Sequence, residues 1–122
     1  MNINVIERNG KTVAVVYSDT KIISDEQSAL DFAMTVRHET GTSRIVLNKE
    51  AVAEDFFILS TRLAGGILQK YINYQVKFAV YGDFTKYASK PLKDFFYESN
   101  HGEDFFFTAT KESAVEKLLQ VK

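Results

Sequence analysis

Residues 3 to 7 and 12 to 17 are two β-rich runs on either side of Asn9-Gly10, a dipeptide that readily takes the positive φ angles of a type I′ turn. The spacing predicts an antiparallel hairpin. Its second strand, Val13 to Tyr17, is continuously apolar rather than alternating, as in a strand with neighbours and cover on both sides. Ser24 and Gln27 have the spacing of a capping box, and Ala29, Phe32, Ala33 and Val36 share one face of the following helix until Gly41 ends it. Arg44 to Asn48 is short and β-branched, a third strand. From Asp55 to Tyr74 the apolar spacing of Phe56, Leu59, Leu63 and Ile67 predicts one long helix. Val76 to Tyr81 reads as a fourth strand. Ser89 caps a helix with Pro91 in its first turn, and Leu92, Phe95, Phe96 and Ser99 share a face up to Asn100-His101-Gly102. Phe105 to Ala109 is a fifth strand, and Thr110 caps a last helix carrying Val115, Leu118 and Leu119.

The order ββαβαβαβα predicts a single α/β domain over residues 1–122, with a mixed, mainly parallel five-stranded sheet and right-handed crossovers after the hairpin. Val13, Val15, Ile45, Leu47, Phe78, Val80, Phe105 and Phe107 read as one bulky face for the helices. Ala14, Val46, Lys77, Ala79 and Thr108 then form the opposite face. If every helix packs on the bulky face, the other needs different cover, and a homodimer is one way to supply it.

Composition narrows the functional classes. Fifteen basic against sixteen acidic side chains give a net charge of -1, so no general field draws the chain to nucleic acid or an anionic membrane. The absence of cysteine excludes disulfides, thiolate metal sites and Cys nucleophiles. No run approaches a membrane span of roughly 18 apolar residues, and the N-terminus lacks the apolar core of a secretory signal, so a cytoplasmic location is expected.

No phosphate-binding loop, GxGxxG turn, GxSxG elbow or HExxH pair is present. No cofactor is predicted. Gly65-Gly66 reads as a close approach of helix to sheet, and His38 and His101 as surface residues at helix ends. Lys86, Lys90 and Lys93 beside Tyr87 read as a solvated helix face, and the Phe pairs as core. The carboxyl ends of parallel strands carry more weight, because ligands of open α/β sheets bind there. Those ends hold Asp19, Asn48, Lys49, Glu50 and Asp83. Glu54 and Asp55 follow in the same loop, where they suit the positive end of the next helix.

The stretches NKEAVAEDFFILSTRLAGGILQK and YGDFTKYASKPLKDFFYESNHG resemble the bacterial domain-of-unknown-function family 4180. More distantly, the element order is similar to the STAS domain of anti-sigma-factor antagonists. In that fold an Asp-Ser-Ser-Gly type turn at a helix start carries a phosphorylatable serine. Asp55 matches the aspartate, but Phe56 and Phe57 follow it, and Ser60 and Thr61 lie a turn later. The STAS likeness, the lack of a complete catalytic constellation and the near-neutral charge point to a non-enzymatic module that docks on an unknown protein partner through the Asn48 to Asp55 loop and the start of the following helix, without the usual phosphoserine. The alternative expectation is a small-molecule binder or minor enzyme using Asn48, Glu50, Asp55 and Asp83, and a third is a homodimeric structural subunit.

Overall fold

Asn9 and Gly10 take φ angles of 56° and 77°, the left-handed pair that closes a type I′ turn. β1 (Asn2–Arg8) and β2 (Lys11–Tyr17) therefore fold back without a bulge, in register from Asn2↔Tyr17 to Arg8↔Lys11. The computed structural model describes all of residues 1–122. The remaining elements are α1 (Glu26–Thr40), β3 (Arg44–Asn48), α2 (Leu63–Asn73), β4 (Lys77–Tyr81), α3 (Lys90–Asn100), β5 (Phe105–Thr108) and α4 (Lys111–Gln120).

β3, β4 and β5 add in parallel to β2, and the sheet runs β1-β2-β3-β4-β5. Each crossover steps in the same direction. Right-handed connections then place α1, α2 and α3 on one face. Ala14, Val16, Ile45, Leu47, Phe78, Val80, Phe105 and Phe107 line that face and form one core with the helices. The opposite face carries Val13, Val15, Val46, Ala79 and Phe106 under Ala114, Val115 and Leu118 of α4.

Two expectations change here. Val13 and Val15 lie on the α4 side, not with Ile45 and Leu47, because four consecutive buried apolar residues in β2 leave no alternation from which to read a phase. The second face is also covered by α4 of the same chain, so it does not call for a second copy. No helix is long and apolar enough to cross a membrane.

The helix expected from Asp55 to Tyr74 is replaced in its first third by short 3-10 turns at Glu54–Phe57 and Leu59–Thr61. Thr61 Oγ1 lies 2.8 Å from the carbonyl oxygens of both Asp55 and Ile58, and Arg62 sits in the left-handed region at φ 64°. α2 begins only after this break. Glu54 and Asp55 consequently do not stand at its N-terminus. Gly66 approaches Glu26 of α1 rather than the sheet, and Gly65 faces open space.

Capping is local. Ser28 N donates to Asp25 Oδ1 at 2.7 Å and Asp25 N to Ser28 Oγ at 3.0 Å, which moves the capping box one residue beyond Ser24 and Gln27. Ser89 and Thr110 cap α3 and α4 as their positions predict.

Candidate functional site

Asn48, Tyr81 and Thr108 end β3, β4 and β5 at one level. Asn48 is fully buried. Its Oδ1 accepts from Ser18 N at 2.9 Å, and its Nδ2 donates to Ser18 O at 2.7 Å and to Glu50 Oε1 at 3.2 Å. The side-chain amide thus continues the β2–β3 ladder one residue past its end, with all its hydrogen-bonding groups satisfied.

Beyond Asn48 the chain is held down rather than free. Ile22 N donates to Ala51 O and Ala53 N to Ile23 O, both at 2.8 Å, and Ile23 bridges Val52 in parallel. This anchorage delivers the turn Glu54–Phe57, whose two phenylalanines are buried. Phe57 stacks on Tyr87, the ring centroids being 5.2 Å apart. Phe84–Phe96 and Phe96–Phe107 continue the cluster at 5.1 and 4.8 Å. These contacts tie the loop after β3 to the loop after β4, to α3 and to β5, and such pairs add roughly 0.5–1.5 kcal/mol each beyond burial.

The aromatic contact brings four polar side chains together. Tyr87 Oη donates to Glu54 Oε2 at 2.7 Å, with Lys86 Nζ 3.4 Å and Lys49 Nζ 4.0 Å from Glu54 Oε1. Lys49 Nζ also lies 5.1 Å from the Tyr87 ring centroid, a cation–π contact. The Tyr87 hydroxyl, then Lys86 and Lys49, hold the Glu54 carboxyl below its ordinary pKa. Burial and the Glu54 carboxylate push the Tyr87 phenol up. The Lys49 side chain is only 13% exposed. Its stem presses on Gly82, where an added Cβ would stand 2.6 Å from Lys49 Cβ, so this close approach requires glycine.

The other sequence candidates separate. Asp83 Oδ1 accepts from Thr85 Oγ1 at 2.6 Å and Thr85 N at 2.9 Å, which lowers its pKa. Glu50 is exposed beside Asn48. Asp55 is exposed, and its carbonyl rather than its carboxylate meets Thr61. Asp19 is exposed. Lys86 belongs to the loop before α3, not to a helix face, and Lys90 pairs with Asp94 at 2.7 Å. The contribution of Lys86 and Tyr87 escaped the sequence reading because Glu54 is more than thirty positions away. Their only local signal was a basic residue next to an aromatic one.

Residues 8–118 match the family model of a domain of unknown function, DUF4180. The chain belongs to this family. No curated protein and no solved structure matches it. In this DUF4180 chain no three His, Cys, Asp or Glu side chains come together as a metal-ligand group. His38 and His101 are exposed at helix ends, the latter stacked on Tyr97.

Two concavities flank the Glu54 cluster. One is a groove of about 480 Å³ between the 3-10 turns and the start of α3, lined by Phe57, Ile58, Leu59, Tyr87, Pro91 and Leu92 among others. The other is an open crevice of about 710 Å³ at the strand ends, lined by Glu50, Tyr81, Asp83, Asn100 and Thr108 among others. A third depression lies at the opposite end of the sheet. There Lys77 pairs with Asp104 at 2.6 Å, and Arg44 donates to the main-chain oxygens of Leu118, Val121 and Lys122.

Proposed function

We propose that the chain is a non-enzymatic, cytoplasmic bacterial protein-binding module that docks a polypeptide segment through the groove between the loop after β3 and the start of α3. The observation that carries this reading is Ile58. It is 47% exposed at the rim of a mostly apolar groove, while Glu50 and Asp83, two of the carboxylates that acid–base work at the strand ends would use, accept hydrogen bonds from Asn48 and Thr85. An apolar anchor entering a groove with a polar rim is a common peptide-recognition arrangement. The partner chemistry that fits is a segment presenting one bulky apolar residue, with polar flanks facing Glu54, Lys86 and Ser89.

The element order supports the same reading by its resemblance to STAS domains, an analogy of fold that does not argue the site. At the position following Asp55, Phe56 and Phe57 are buried aromatic core, so hydroxyl phosphorylation at that position has no place in the reading. The docking surface proposed here extends past the Asn48 to Asp55 loop to Leu59 and the start of α3. Glu54 serves mainly to hold Tyr87 and Lys86.

Ile58→Asp tests the reading, because Ile58 touches solvent and its loss spares the core. Peptides selected from a random library on the immobilised wild-type chain should share an apolar anchor and lose at least tenfold in affinity for Ile58→Asp, whose melting temperature stays at the wild-type value. Selected peptides that bind both proteins equally, or no enrichment, would overturn it.

The strand-end crevice favours a second reading, a small-molecule site, since Glu50, Tyr81, Asp83 and Thr108 are among the residues that line it. Burial, followed by the charge of Glu50, raises the Tyr81 pKa. A melting-temperature increase with a metabolite, abolished by Thr108→Val, would support this reading.

A further inference from the structure

The two edges of the sheet are treated differently. At β5, Phe78 N donates to Asp104 O and Gly82 N to Thr108 O, so the alternation of a parallel ladder turns the Phe107 backbone away from β4. Asn100 meets it there: Phe107 N donates to Asn100 Oδ1 at 2.7 Å, and Asn100 Nδ2 to Phe107 O at 3.1 Å. A side-chain amide closes that edge at Phe107. No comparable side chain closes β1.

Arg8 and Lys11 flank a two-residue type I′ turn and so form a hydrogen-bonded pair. Strict alternation then directs Asn2, Asn4, Ile6 and Arg8 toward β2. The N–H and C=O groups of Ile3, Val5 and Glu7 point outward, and none of them bonds to a turn, loop or side chain elsewhere. The strand is bulge-free through all seven residues and contains no proline, so it lacks two of the usual devices that blunt an edge. Val5 is 52% exposed.

We propose that this edge pairs with β1 of a second copy, antiparallel about a two-fold axis through Val5, to join the two sheets into one. That axis sets Val5 against Val5 of the other copy and Ile3 against Glu7, so the outward groups at all three positions find partners. An axis midway between two residues would set outward groups against inward ones, and an axis at Asn4 or Ile6 would leave one of the three positions opposite a residue beyond the strand. The charges are compatible as well. Glu7 already receives Thr12 Oγ1 at 3.3 Å and Arg8 binds Glu116 at 2.6 Å, and their cross-copy neighbours are Ile3 and Asn2, so no like charges stand opposite. The pairing also shields the two Val5 side chains. It uses a different surface from the α4-covered face.

Sedimentation of the full chain, without an N-terminal tag, tests this together with amide exchange. The expected result is a concentration-dependent species of twice the monomer mass, with exchange at Ile3, Val5 and Glu7 slowing as it forms. Val5→Pro removes an N–H that points away from β2 and breaks no β1–β2 bond, so this variant should keep the wild-type circular dichroism and remain monomeric; Val5→Lys should do the same and stands in if the proline variant does not fold. A monomer at every soluble concentration would overturn the proposal. So would a dimer that survives either folded variant, or one in which those three amides exchange as fast as in the monomer.

Discussion

Asn48 and Ser18 are joined as two strand residues are, except that one partner is a side chain: the Asn48 amide accepts from Ser18 N and donates to Ser18 O at 2.9 and 2.7 Å. The pairing fixes where the loop after β3 begins and places Lys49 against Gly82. Asn48→Ala leaves the Ser18 N–H and C=O without these partners in a buried setting, and an unsatisfied buried group costs about 1–3 kcal/mol. Urea denaturation should show a loss in that range. Asn48→Asp should not restore it at neutral pH, because a carboxylate cannot donate to Ser18 O.

Tyr71 makes a second buried polar contact, its hydroxyl donating to Ala29 O at 2.7 Å between α2 and α1. Burial pushes its phenol far up. Tyr71→Phe preserves the ring contact with Phe78 and should cost roughly 1 kcal/mol in chemical denaturation, the net value of one hydrogen bond.

Gly82→Ala forces a Cβ against Lys49 Cβ, and the obstacle is the base of a side chain rather than its flexible end. Overpacking of this kind costs about 1–3 kcal/mol. The thermal midpoint should fall, and the Tyr87 ring resonances should shift because Lys49 is displaced from that ring.

The Glu54–Tyr87 bond has a definite pH signature. The folded-state pKa of Glu54 is lowered, so the bond's contribution is fully present above the unfolded carboxylate value and fades as pH falls through the folded one. Tyr87→Phe should therefore be less stable than wild type at neutral pH. The difference should shrink toward zero in acid, below the ordinary carboxylate value of roughly 4.3. Because Glu54 is half exposed, the neutral-pH gap should be only about 0.2–1 kcal/mol, measurable as urea midpoints across the pH range.

Much of the fold was legible because local signals agreed. Asn9-Gly10 gave the hairpin, Gly41 ended α1, and Ser89 and Thr110 marked the starts of α3 and α4. The errors have equally local causes. The apolar run Val13 to Val16 has no phase, and the periodicity of Phe56, Leu59, Leu63 and Ile67 fits a helix although Phe56 and Phe57 are held by aromatic packing in a 3-10 turn. The places of Asn48, Lys49, Glu50 and Asp83 at or just past the strand ends were legible. Their actual bonds were not legible, since Glu54 meets Lys86 and Tyr87 only after both loops are anchored by tertiary contacts.

The docking surface is tested most directly by two-dimensional amide NMR of the labelled chain titrated with a library-selected peptide. Docking in the groove concentrates the shifts at Ile58, Leu59, Ala88 and Leu92. Shifts centred instead on Tyr81, Gly82 and Thr108 would place binding in the strand-end crevice and contradict it.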